Sequence, residues 1–88
     1  MPHREIDNFE IWTGAAQFGD NVFRAMLETR PLEKSEEASF FVIKTGKKLI
    51  SMEEAKLIAA AALSAVKSVN NDGVPSPLID PTQNQARR

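Results

Sequence analysis

Few residues of this 88-residue chain have the type and spacing for chemistry. Thr45-Gly46-Lys47-Lys48 superficially resembles a phosphate-binding loop. It lacks the earlier glycine at the required spacing, and no serine or threonine follows the lysine to hold magnesium. Lys44, Lys47 and Lys48 make a basic edge near the expected start of a helix. Free amides there attract phosphate, so this edge is the best anion or nucleic-acid candidate. Lysines beside a turn are more often a solvated edge that discourages strand pairing. The only histidine, His3, falls in an N-terminal stretch expected to be loose, where nothing would orient it for acid–base work. Glu36-Glu37 and Glu53-Glu54 are adjacent acids, and neighbours on a helix or strand point apart rather than converging. Cysteine is absent, which removes disulfides and thiolate metal sites. The sequence therefore assigns no catalytic residue, no metal ligand and no cofactor, and the expected class is a non-enzymatic protein.

The elements that would position any site follow from periodicity. Phe9, Ile11 and Thr13 alternate with Glu10 and Trp12, the mark of a strand with one covered face. Gly19-Asp20-Asn21 is turn chemistry. Val22 to Glu28 alternates again, with Phe23, Ala25 and Leu27 on one face and Arg24, Met26 and Glu28 on the other. Together these runs predict a hairpin. Arg30-Pro31 ends the second strand, a charged connection follows, and Ser39-Phe40-Phe41-Val42-Ile43-Lys44 reads as a third strand. Lys47 to Ile50 either adds a brief fourth strand or leads into the helix.

Ser51-Met52-Glu53-Glu54 is a capping box, with Glu54 expected to reach back to the Ser51 amide. Ile50 and Ala55 fit a hydrophobic staple, and Met52, Ala55, Ile58, Ala59, Ala62, Leu63, Val66 and Val69 share one helical face. The spacing predicts a helix from about Met52 to Val69, with Gly73 in Asn70-Asn71-Asp72-Gly73 as its terminator. Leu57 lies on the opposite, polar face.

The expected fold is α+β: a small antiparallel sheet of three strands, or four if Lys47 to Ile50 adds one, on one long C-terminal helix, in the order β-β-β-α. Residues 1–8 read as a flexible N-terminus, 9–73 as the domain and 74–88 as a disordered tail containing Pro75, Pro77 and Pro81. Apolar residues at 42% and charged residues at 26% are globular values. A formal charge of −1 offers no long-range attraction for nucleic acid or anionic lipid. The polar start lacks a signal-peptide core and no apolar run approaches the roughly 20 residues of a membrane span, pointing to the cytoplasm.

One helix covers one sheet face. With Phe9, Ile11, Phe23, Ala25, Leu27, Phe41 and Ile43 beneath it, Trp12, Met26, Phe40 and Val42 are left on the other, fringed by Glu10, Arg24, Glu28 and Lys44. A contiguous apolar patch marks a contact surface, and a domain this small gains from association. The expected interaction surface is Trp12, Met26, Phe40, Val42 and Arg24, serving a homodimer or a small protein partner. The alternative is nucleic acid stacked on the same aromatics beside the lysine edge.

The arrangement resembles short bacterial proteins of unknown function. The likeness rests on a Phe-x-Ile strand (Phe9, Ile11), the Phe-Arg-Ala-Met-Leu strand (Phe23 to Leu27) and the Ser-x-Glu-Glu-Ala-x-x-x-Ala helix start (Ser51, Glu53, Glu54, Ala55, Ala59). It spans about Phe9 to Val69. The Glu-Glu-Ala helix after a small sheet is also similar to HicB-type antitoxins, without their Pro-and-Gly-containing segment or DNA-binding extension. Three strands before a final helix resemble the double-stranded-RNA-binding fold, whose opening helix this chain lacks.

Overall fold

The computed structural model describes residues 3–33, 38–46 and 48–81. Its elements are β1 (His3–Ile6), β2 (Phe9–Gly19), β3 (Val22–Pro31), β4 (Ser39–Val42), α1 (Met52–Ala65), β5 (Ser68–Val69) and β6 (Pro75–Ser76). The first four strands form an antiparallel sheet in the order β1-β2-β3-β4, and β5 pairs with β6. The α+β class, the antiparallel sheet and the single described helix agree with the sequence reading. The sheet has the larger of the two expected strand counts, but the β-β-β-α order does not hold, and β5 and β6 follow the helix.

The fourth strand comes from the N-terminus rather than from Lys47 to Ile50. Asp7 and Asn8 both adopt positive φ, 53° and 72°. A two-residue turn with that backbone matches the right-handed twist of paired strands, and short Asp and Asn side chains tolerate it. The turn folds His3–Ile6 back along β2, from Ile6 opposite Phe9 to His3 opposite Trp12. Residues 3–6 are thus a strand, where the sequence reading has a loose end. Between Lys48 and Ile50 there is only one bridge, Leu49 to Phe23.

β2 and β3 pair from Phe9 opposite Pro31 to Gly19 opposite Val22, with an irregularity between Gln17 and Gly19. Cross-strand partners share a face. On the inner face Ile11, Ala25, Leu27, Thr29 and Ile43 are buried against Ala55, Ile58, Ala59, Ala62 and Leu63 of the helix. Small alanine side chains let the helix backbone come close to the sheet, so the aliphatic residues make dense contacts. Phe41, expected on this face, lies opposite Leu27 and is half-buried.

The helix begins as its capping residues dictate. The Glu54 amide donates to Ser51 Oγ at 3.0 Å. On the reciprocal side, the Ile50 amide, one residue before the cap, donates to Glu54 Oε1 at 3.3 Å. Ile50 itself is 66% exposed, whereas Leu49 is buried, so Leu49 is the residue that carries the chain's entry into the core. α1 ends at Ala65, four residues short of Val69, because Val66 takes extended backbone (φ −63°, ψ 131°). Its last turn carries no basic residue. The missing cap arrives from β1: Arg4 Nη1 donates to the carbonyls of Leu63, Ser64 and Val66 at 2.8, 3.1 and 3.0 Å. A guanidinium placed on terminal carbonyls satisfies orphan acceptors and opposes the negative end of the helix dipole.

Beyond the helix the chain keeps folding. Val66 and Val69 are buried, as the helical stripe had anticipated, but from extended backbone. Gly73 does adopt positive φ (83°), in the β5–β6 turn rather than at the helix end. An added Cβ there would sit 3.2 Å from the Phe9 ring and 3.3 Å from Thr29 Oγ1, so the position is crowded as well as left-handed. Residues 74–81, read from sequence as disordered tail, return to the sheet. Pro75 is fully buried, and the Lys44 amide and carbonyl bond to Leu78 and Asp80 at 2.8 Å each. The proline spacing that suggested disorder fits a short strand and a bridge whose ladder contacts avoid the missing donors. Residues 1–2 of the expected N-terminal stretch and 82–88 of the expected tail lie outside the described residues. Among the described residues no helix is long and apolar enough to cross a membrane.

Candidate functional site on the outer sheet face

Trp12, Met26, Phe40, Val42 and Arg24 do share the outer face. The register places them in three rows across the sheet: His3, Trp12, Glu28 and Phe40; then Gly14, Met26 and Val42; then Ala16 and Arg24. Phe40 is 62% and Val42 46% exposed, while Trp12 and Met26 are half-buried. Gly14 stands opposite Met26 without a side chain, leaving the thioether to fill that part of the row.

The apolar exposure is therefore not centred on Trp12. The His3 ring stacks on the indole with centroids 4.3 Å apart and planes 12° from parallel. Trp12 Nε1 donates to Glu10 Oε1 at 3.1 Å. Beside the indole lies a shallow groove of about 280 Å³ lined by Glu10, Trp12, Thr13, Glu28 and Arg30. Arg30 Nη2 donates to Glu28 Oε2 at 3.2 Å across one wall. This end of the face is polar and mixed in charge, and the bare apolar surface sits toward the β4 edge.

At the far end Arg24 lies over Phe18, its guanidinium carbon 5.4 Å from the ring centroid. Phe18 is 56% exposed and extends the patch beyond the expected residues. It falls in the irregular stretch at the β2–β3 turn, where strict alternation no longer assigns a face. The sequence signal was its size beside a turn rather than any period.

His3 is the larger revision. β1 places His3 and Glu5 on the outer face next to Glu10, with His3 Nε2 3.8 Å from Glu5 Oε2. His3, Glu5 and Glu10 each bring one potential ligand atom within 4.8 Å of the others. The signal lay in the alternation of His3 and Glu5 with Arg4 and Ile6 just before the Asp7-Asn8 turn.

Lys44 and Lys48 are exposed, and Lys47 lies outside the described residues. The Lys44 backbone is engaged in the bridge to Ile79. Glu53 is exposed and Glu54 serves the helix start. Glu36 and Glu37 also lie outside the described residues. Leu57 is exposed on the solvent side of α1. Comparison with protein-family models, with curated proteins and with solved structures finds no match to this chain.

Proposed function

We propose that this chain is a non-enzymatic interaction module of the cytoplasm that self-associates through its outer sheet face. The observation that carries the reading is that α1 occupies one face while Phe40, Val42 and Phe18 stand exposed on the other, beside half-buried Met26. Burying such a strip contributes roughly 25 cal/mol per Å² of apolar surface, which a domain this small needs. Charge favours a second copy as occupant. Arg24 lies two residues from Met26 on one side, and Glu28 two residues on the other. A two-fold axis between the faces, across the strands at Met26, brings each Arg24 against the partner's Glu28 row and Met26 against its equivalent. Such an isologous contact is self-complementary.

Light scattering of the wild type is expected to give a dimer at about 50 μM, a concentration suited to an association in the micromolar range. Phe40→Glu and Val42→Glu, both on exposed positions, are expected to give folded monomers. A wild-type monomer at that concentration would sink the proposal. The nucleic-acid alternative draws on the Lys44, Lys47 and Lys48 edge, while the aromatic face carries Glu5, Glu10 and Glu28. Titration with RNA and DNA at low salt is therefore expected to show no binding.

A further inference from the structure

We infer that His3, Glu5 and Glu10 form a site for a divalent transition-metal ion of the zinc class. The inference stands apart from self-association and concerns the polar corner of the outer face. Three observations carry it.

The first is convergence. One atom each from an imidazole and two carboxylates lie within 4.8 Å of one another, and the His3 Nε2 to Glu5 Oε2 separation is 3.8 Å. Tetrahedral zinc with bonds near 2.1 Å holds its ligand atoms about 3.4 Å apart. Small rotations of the exposed His3 and Glu5 side chains toward half-buried Glu10 close the difference.

The second is charge. Glu5 and Glu10 are direct cross-strand partners on the same face. Like charges placed directly opposite destabilise a sheet. A dication between them turns that repulsion into attraction.

The third is orientation, and Trp12 provides it twice. Its ring fixes the plane of the His3 imidazole by stacking, and its indole N–H holds one oxygen of Glu10, leaving the other for a metal. Outer partners of this kind set the direction of ligands and raise affinity. An imidazole nitrogen among the donors favours zinc or its neighbours over magnesium or calcium, which take oxygen ligands. Three protein ligands leave a fourth position for water or a donor from another molecule.

The test uses the whole chain, titrated calorimetrically with zinc chloride and, in parallel, with cobalt(II) while Trp12 fluorescence is followed. One zinc per chain is expected, and cobalt held this close to the indole is expected to quench it. His3→Phe keeps a ring on Trp12 but removes the nitrogen. Glu10→Gln keeps an oxygen for the indole N–H, and Glu5→Gln changes only an exposed carboxylate. Each is expected to weaken zinc binding by about tenfold or more with unchanged circular dichroism. Wild-type protein that binds no zinc up to about 1 mM overturns the site. So does zinc binding that survives both glutamine variants, since the carboxylates would then not be ligands.

Discussion

Replacing Arg4 tests whether a strand side chain is what ends the helix. Arg4 Nη1 faces three carbonyls of the last helical turn at 2.8 to 3.1 Å, yet it carries two hydrogens, so it supplies about two hydrogen bonds' worth of interaction. Bonds to a charged group contribute about 1.5–3 kcal/mol each when well buried. These are shared and half-buried, which places the pair together near 2 kcal/mol, helix-dipole contribution included. Arg4→Met keeps the apolar stem and removes the guanidinium. It is expected to destabilise the fold by about 2 kcal/mol, a fall in melting temperature of roughly 8–16 °C for a domain this size. Arg4→Gln restores a neutral donor and is expected to lose about half as much. Urea unfolding followed by circular dichroism measures both, with an unchanged denaturant slope showing that the same structure is lost. A loss below about 0.5 kcal/mol for Arg4→Met would refute the reasoning, because water would then serve those carbonyls equally well.

Two further changes probe the frame around the site. Thr29 is buried on the inner face and its Oγ1 donates to the Gly73 carbonyl at 2.7 Å; Thr29→Val preserves shape, strands that carbonyl, and is expected to cost about 1–2 kcal/mol in urea unfolding. Ser51→Ala removes the acceptor for the Glu54 amide and is expected to cost about 1 kcal/mol, read as a lower melting temperature; Ser51→Asp is expected to restore it.

The parts of the fold legible in the sequence were those with a strong local code. Period-two runs located β2, β3 and β4 and assigned their faces, because one face is buried and a one-residue slip would expose it. Ser51 and the alanine stripe located α1 and its buried side. What escaped depends on distant partners. The helix stops at Ala65 because Arg4, 59 residues from Leu63 in sequence, caps it there, and no local glycine announces that. The Gly73 signal was real but belongs to the β5–β6 turn. Residues 74–81 carry three prolines, which mask the apolar Val74, Leu78 and Ile79 beside them; Pro75 is buried, Leu78 packs against the core, and the Lys44 backbone bonds hold the segment in place. The outer face was legible as a set of residues, but not its centre. Trp12 is bare only if His3 is loose, and the stacked imidazole shields it.

That last dependence runs through β1, whose four residues divide by alternation into two tasks. Arg4 and Ile6 point inward, to the helix end and the core margin; His3 and Glu5 point outward, to Trp12 and Glu10. Short edge strands open locally at little free-energy expense unless side chains tie them down. Here the ties are the Arg4 contacts and Asp7, whose Oδ2 accepts the Val69 amide at 2.8 Å. Both lie on the side away from the metal site, yet they set how often His3 and Glu5 are in register with Glu10. An ion bound only by the closed strand stabilises it by RT ln(1 + [ion]/Kd), about 2.7 kcal/mol at one hundred times Kd. That is comparable with the roughly 2 kcal/mol assigned to Arg4. The helix cap and the outer-face site therefore act on one equilibrium, the docking of β1, from opposite faces of the same strand.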